Sequence, residues 1–315
     1  MRFEAALARL GLLLIPLLSR RSILKLASIL GTIAFLVSPH LRRVGRANLD
    51  LALAGSASDD DKRRILRASF RSFALTILDT FWFSRDTASR IDRYVKFAPG
   101  GERVLVERPQ ICITAHLGNW EVLGMTMSHR GFPLLSVAAP LSNPDVDTLF
   151  NRLRVVSGQR VMSKHGVVRA LLKTLKDGGK IALVLDQNTK PSEGGIFIDF
   201  FGLPVPVASA AAGLSIKTGA EVLVGGCLPQ PDGTYLVPEP QPIPMPPVGG
   251  DDTISTRTRA ITEAIEQWVR RYPQCWLWTY KRWKYVAPWR KREEYPFYAK
   301  ELSEADKAAL NAYDS

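Results

Sequence analysis

The sequence predicts an α/β fold, with a mostly parallel central sheet flanked by helices and preceded by apolar N-terminal helices. Three observations carry this expectation. Short β-rich runs at 111–115, 134–138, 180–185 and 221–225 alternate with helical stretches at 120–129, 144–157, 166–177 and 208–218. Such alternation is the pattern of a parallel sheet covered by helices. The 315 residues are 46% hydrophobic, which suits one large core, and apolar runs at 10–18 and 23–37 stand before the alternating part.

The elements follow in order. "LGLLLIPLL" (10–18) and "ILKLASILGTIAFLV" (23–37) are separated by Ser19, Arg20, Arg21 and Ser22. Neither run reaches the roughly 20 residues of a spanning helix, and Lys25 interrupts the second. No small-x-small cleavage site follows the first. Arg20, Arg21, Arg42, Arg43 and Arg46 flank the runs as contacts to anionic head groups would. We expect residues 1–47 to anchor the chain to a membrane or to lie on its cytoplasmic face; two core helices of a soluble domain are the alternative. Residues 48–84 read as a loop and a helix, with Asp59, Asp60 and Asp61 near its start and apolar positions at 65, 66, 70, 73, 74, 77 and 78. Asn143-Pro144 is an N-cap followed by a proline at the first helical position. "DGGK" (177–180) stops a helix ahead of a strand. A Pro-rich connection (229–250) leads to a capped amphipathic helix at 252–271. Residues 48–290 make the main domain and 291–315 a C-terminal tail.

The formal charge of +12 points to anionic partners: lipid head groups, an acidic carrier protein or nucleic acid. Cys112, Cys227 and Cys275 are odd in number and far apart, with no CxxC, so neither a disulfide framework nor a zinc knuckle is expected. Reduced thiols suit a cytoplasmic environment. GxGxxG, Walker A, GxSxG and HExxH are all missing from the sequence, which removes the usual signatures of nucleotide binding, serine hydrolysis and zincin chemistry.

The stretch "CITAHLGNWEVLG" (112–124) runs an apolar strand into His116, with Glu121 five positions on. Of the four histidines only His116 has an acidic residue at that distance; His40, His129 and His165 are followed there by Gly45, Leu134 and Ala170. A histidine at the C-terminal end of a strand lies where open α/β sheets hold ligands. Leu117-Gly118-Asn119 can turn the chain, and Asn119 can cap a helix that Glu121 then begins. That geometry could bring the Glu121 carboxylate beside the imidazole, fix its tautomer and leave the other ring nitrogen to take a proton from a hydroxyl. Read alone, the pair leaves both a structural histidine and a catalytic base open.

"HLGNWE" with its flanks resembles the lipid A biosynthesis acyltransferases (lauroyl and myristoyl transferases), a branch of the glycerolipid and lysophospholipid acyltransferases. So do "RRVGRANLDLAL" (42–53), "NPDVDTLFNRLRVVSG" (143–158), "KIALVLDQNTKPSEGGIFIDFFGLP" (180–204) and "CWLWTYKRWK" (275–284). Together they cover most of residues 40–285 in the family's order. The resemblance implies a glycerolipid acyltransferase-like fold and a catalytic dyad of the His-x4-Asp/Glu (HX4E) type at His116 and Glu121. His116 would deprotonate an acceptor hydroxyl that attacks an acyl thioester, and Glu121 would orient His116. It also implies substrate contacts from Asn119, from Arg152 or Arg154, and from Asp186 and Gln187. The two arginines lie two positions apart and point to different helix faces, so at most one reaches the reacting centre.

Two blocks depart from the wider superfamily. Its Glu-Gly-Thr-Arg phosphate block is replaced by Asp186-Gln187-Asn188-Thr189, and its strand-end proline by Val224-Gly225. Simple glycerol-phosphate recognition is therefore not expected. The terminal block interleaves Trp276, Trp278, Trp283 and Trp289 with Lys281, Arg282, Lys284 and Arg290. That pattern describes a nucleic-acid surface or a membrane-interface belt. The apolar N-terminus favours the membrane, and no nucleic acid is expected.

The expected activity is transfer of a fatty acyl group, from an acyl-carrier-protein or CoA thioester, to a hydroxyl of a lipid A precursor at the cytoplasmic face of the inner membrane. No cofactor and no metal are expected, because the thioester is already activated. The alternatives are another lipid acceptor, such as a phosphatidylinositol mannoside-like glycolipid or a lysophospholipid, or a non-catalytic basic membrane-binding protein.

Overall fold

The computed structural model describes residues 2–132, 134–138, 140, 142–163, 166–244 and 253–311. His165, the end of the Pro-rich connection (245–250) and residue 252 of the expected helix lie outside them. The chain opens with helices α1 (Arg2–Leu14), α2 (Arg20–Val37), α3 (Pro39–Ala52), α4 (Asp59–Trp82) and α5 (Thr87–Tyr94). Then come β1 (Val95–Phe97), β2 (Gln110–Thr114), α6 (Trp120–His129), β3 (Leu134–Ala138), α7 (Pro144–Val156), β4 (Arg160–Ser163), α8 (Val168–Lys176) and β5 (Lys180–Val184). The hairpin β6 (Gly195–Phe200) and β7 (Leu203–Ala208) precedes α9 (Ala210–Thr218) and β8 (Glu221–Val224). The last elements are β9 (Leu228–Pro229), β10 (Tyr235–Val237), β11 (Gln241–Ile243), α10 (Ile254–Arg271) and α11 (Glu304–Asn311).

Among the described residues the central sheet has six strands in the order β11-β8-β2-β5-β3-β4. Its inner pairings are parallel, and β11 joins β8 antiparallel at one edge. Elsewhere β1 and β9 flank β10, parallel and antiparallel, and β6 pairs antiparallel with β7. The fold is thus mixed α/β. The expectation of a mostly parallel sheet holds for the core of the central sheet, whereas the sheets taken together are mixed.

β2 is buried along its whole length, as a strand covered on both faces must be. Ile111 and Ile113 enter the main core with Ile181 and Leu183, while Cys112 faces a second cluster with Val104, Met127 and Leu223. Helix starts follow local chemistry. Ser58 and Asp61 form a capping box at α4, and Asn143 caps α7 ahead of Pro144, satisfying N–H groups that have no partner inside the helix.

α2 carries apolar residues on two faces. Ile23, Ala27 and Phe35 are buried, and a Cβ on Gly31 would come within 2.6 Å of the Arg71 Cα, so the α2 and α4 backbones nearly touch there. The opposite face leaves Ile29, Leu30, Ile33, Leu36 and Val37 exposed. Among the described residues no single helix is long and apolar enough to cross a membrane; α2 and α3 meet the test only as a pair bent by 93°. Ser38-Pro39 makes that break, because proline starts α3. The boundary expected after residue 47 falls inside α3, and Tyr295 and Ala299 of the expected tail belong to the main core.

The terminal tryptophans correct another expectation. Trp276, Trp278 and Trp283 are at most 1% exposed, and among the four only Trp289 faces outward, at 63%. Their indole N–H groups donate to Asp186, to the Pro273 carbonyl and to the Phe200 carbonyl. With those bonds made inside the protein, the rings fill the core instead of forming a lipid belt.

Candidate active site

Register brings the site together. Thr114 of β2 pairs with Val184 of β5, and His116 and Asp186 each lie two residues beyond that pair. Parallel neighbours at equal offset point their side chains the same way. The backbone N–H of His116 donates to Asp186 Oδ2 at 3.0 Å, and His116 Nδ1 lies 2.7 Å from Asp186 Oδ1. Trp276 Nε1 donates to Asp186 Oδ2 at 2.7 Å. Asp186 is only 3% exposed. Burial alone would push its pKa up, but the imidazole and these N–H donors hold it below the usual carboxylate value. An ionised carboxylate can only accept, so the proton sits on His116 Nδ1 and Nε2 keeps its lone pair. Burial disfavours the imidazolium, yet Asp186, and then the charge of Glu121, raise the His116 pKa above its ordinary value.

The turn after His116 is held by its backbone. Gly118 adopts a φ of +63° and its N–H bonds the Cys275 carbonyl at 3.0 Å. A Cβ there would lie 2.2 Å from the Cys227 carbonyl oxygen, so glycine is required. Trp120 then packs edge-on against the imidazole, ring centres 4.8 Å apart.

Glu121 departs from expectation. Its carboxylate receives Arg154 Nε at 2.9 Å and Nη2 at 2.6 Å, while the Nδ1 partner of His116 is Asp186. α6 begins at Trp120, so Glu121 lies on its first turn and its side chain meets α7. Burial opposes the Arg154 charge, but its bonds to Glu121 raise its pKa overall. Arg152, two residues earlier on α7, is exposed, so the structure brings one of the two arginines to the site.

Asn119 is 1% exposed. Its Oδ1 accepts the Val122 N–H at 3.0 Å and its Nδ2 donates to Tyr235 Oη at 2.8 Å. Those bonds occupy the amide, so Asn119 serves as the cap of α6 and not as the substrate contact that the sequence suggested. Gln187 stays at the site, its Nε2 lying 3.4 Å from His116 Nε2.

His116, Glu121, Arg154 and Gln187 border a cavity of about 540 Å3, within the roughly 300–1,000 Å3 of small-molecule sites. Its other walls are largely apolar, including Phe73, Ile77, Leu123, Met127 and Leu223, and small residues of the sheet (Cys112, Ser136, Ala182) leave the space open. Burial pushes the Cys112 thiol up to about 12, which keeps it protonated and non-nucleophilic. Among the described residues no group of three or more His, Cys, Asp or Glu could hold a metal ion.

Sequence reasoning did not identify Trp276 as a partner of the site, nor Asp186 as the partner of the histidine. The equal strand-end offsets of His116 and Asp186 were the available signal.

Residues 3–285 match the family model described as bacterial lipid A biosynthesis acyltransferase. The chain is 25% identical over 180 residues to a phosphatidylinositol mannoside acyltransferase of Mycolicibacterium smegmatis, covering 56% of this chain and 57% of that relative. It is 24% identical over 268 residues to a lipid A biosynthesis palmitoleoyltransferase of Escherichia coli, covering 81% and 84%. A phosphatidylinositol mannoside acyltransferase of Mycobacterium tuberculosis is 24% identical over 172 residues, 53% and 52% of the two chains. The chain thus spans about half the length of the mannoside acyltransferases and most of the Escherichia coli protein.

Proposed function

The chain belongs to the bacterial lipid A biosynthesis acyltransferase family, and we propose that it moves a fatty acyl group from an acyl-carrier-protein or CoA thioester to a hydroxyl of a lipid A precursor. The observation that carries this reading is an imidazole with Nδ1 fixed on a buried carboxylate and Nε2 at an apolar cavity. In the proposed step Nε2 takes the proton of the acceptor hydroxyl as its oxygen attacks the thioester carbonyl. The tetrahedral oxyanion collapses, breaks the C–S bond and expels a thiolate, which recovers the proton from the imidazolium. Asp186 stabilises that cation and keeps the ring in one tautomer. Burial keeps the Cys112 thiol protonated and a weak nucleophile, which favours direct transfer over an acyl-cysteine intermediate.

Arg154, paired through Nε and Nη2 with Glu121, brings its positive charge to the cavity wall, where it suits a phosphate or the donor. The apolar cavity suits the acyl chain. The exposed face of α2, with Arg63, Arg67 and Arg71 exposed on the adjacent α4, suits docking on the cytoplasmic leaflet of the inner membrane.

The second reading, acylation of a phosphatidylinositol mannoside, is favoured by relatives of equally close sequence. The longer alignment to the Escherichia coli protein supports taking lipid A as the first reading. Mass spectrometry of lipid A and total lipids from cells with and without the gene decides between them. Loss of one acyl chain from lipid A supports the first reading, loss from another glycolipid supports the second, and unchanged lipids refute both.

A further inference from the structure

Arg20 begins α2 among residues that the sequence reads as head-group contacts, yet it is only 6% exposed. Its guanidinium lies over the rings of Trp82 and Tyr235, at 5.1 and 5.4 Å from their centres. Nε donates to the Gly233 carbonyl at 2.7 Å, and Nη1 and Nη2 donate to the two carboxylate oxygens of Asp79 on α4. Asp79 is 0% exposed. Its Oδ2 also accepts from the Tyr235 hydroxyl and, at 3.4 Å, from Asn119 Nδ2. Asn119 in turn donates to Tyr235 Oη and caps α6 through the Val122 N–H. Four buried side chains therefore connect the first residue of α2 to the turn between His116 and Glu121.

A buried ion pair is weak evidence for stability, since apolar residues of the same volume often serve as well. What this one does is direct. Arg20 and Tyr235 hold the Asp79 carboxylate, and Asp79 and Tyr235 together receive the amide that caps the catalytic helix. Arg20 also opens the helix whose outer face exposes Ile29, Ile33 and Leu36.

We infer that Arg20, Asp79 and Tyr235 are positioning residues for acyl transfer, locking the 116–121 turn to the seat of α2. The lipid-facing helix is then part of the catalytic scaffold as well as a tether. This rests on the acyltransferase reading above.

The test uses the full-length protein and acyl donor and acceptor in detergent micelles, where tethering to a bilayer is irrelevant. Tyr235→Phe removes one hydroxyl and keeps the ring, so it retains the packing that Asp79→Ala would lose. Arg20→Lys keeps the charge and removes the two-point fork. Each is expected to lower kcat about tenfold while KM for both substrates stays within about twofold. Flotation with liposomes stays normal, and amide exchange of residues 118–123 speeds up. Wild-type kcat from Tyr235→Phe overturns the inference, as does a loss confined to KM or to flotation. Should the wild-type protein transfer no acyl group, the functional reading fails separately. Faster exchange at 118–123 in Tyr235→Phe then still supports the lock, and unchanged exchange overturns it.

Discussion

Replacing Asp186 by Asn tests which carboxylate orients the imidazole proposed as the general base. The side chain is nearly isosteric, but its surroundings contain only donors: the His116 N–H, His116 Nδ1 and Trp276 Nε1. An amide offers one oxygen and one NH2 group. Either the NH2 group faces a donor, or it faces Nδ1 and forces the proton onto Nε2, where no base remains. A lost charge-assisted bond costs about 1.5–3 kcal/mol and an unsatisfied buried donor about 1–3 kcal/mol. Their sum, about 2.5–6 kcal/mol, corresponds to a rate loss of roughly 10²–10⁴, in line with the loss seen when a triad aspartate becomes asparagine.

The assay is steady-state acyl transfer across pH, with His116→Ala as the floor. The base must be neutral, so activity falls as pH drops through the His116 pKa. Because Asp186 is the leading favourable influence raising that pKa, the acidic limb of the asparagine variant should move to lower pH. The reasoning is refuted if Asp186→Asn keeps wild-type rate and limb while Glu121→Gln loses both. That outcome would return the orienting role to Glu121.

Arg154→Lys should lower kcat/KM at least about tenfold, roughly 1.4 kcal/mol, because lysine cannot copy the two-point contact. Arg152→Lys should stay within about twofold, since that residue is exposed. The same transfer assay, with liposome binding as control, checks both. Trp276→Phe removes the indole N–H from Asp186 and should lower kcat several-fold to about tenfold with unchanged KM; full activity would show that the third donor is dispensable. Ile33→Asp with Leu36→Asp on the outer face of α2 should weaken vesicle flotation without lowering the melting temperature. Deletion of residues 1–40 should instead destabilise the whole protein. Fully burying one large apolar side chain contributes about 1.5–3 kcal/mol, and the deletion removes two, Ile23 and Phe35. A soluble, folded truncation by thermal melting would refute that.

Local chemistry is written along the chain, and the elements that depend on it are legible there. The strands at 111–115, 134–138, 180–185 and 221–225 occur within a residue of their expected ends, because a covered parallel strand is a short apolar run between turn residues. The helices at 120–129 and 144–157 follow likewise from Asn119 and Asn143, whose side chains satisfy N–H groups a few positions ahead. His116 stands out for the same reason: one titratable ring follows a strand that is buried along its whole length.

What the side chains touch is a different matter. Glu121 is five residues from His116, but the left-handed Gly118 and the start of α6 send its carboxylate to Arg154, 33 residues on. The partner of His116 comes from 70 residues away, because parallel pairing of β2 with β5 puts both residues at the same offset. The aromatic-basic block has one composition for a lipid belt and for a core. Only tertiary packing closed around Trp276, Trp278 and Trp283 and gave each indole N–H a partner. Arg20 likewise reads as a surface cation until α4 brings Asp79 to it. Sequence by itself determined the four central strands, the helices between them and the place of His116 at a strand end, since backbone conformation answers to neighbouring residues. Tertiary structure decided which charges meet, since the energy of burying a charge depends on groups that the fold alone brings near.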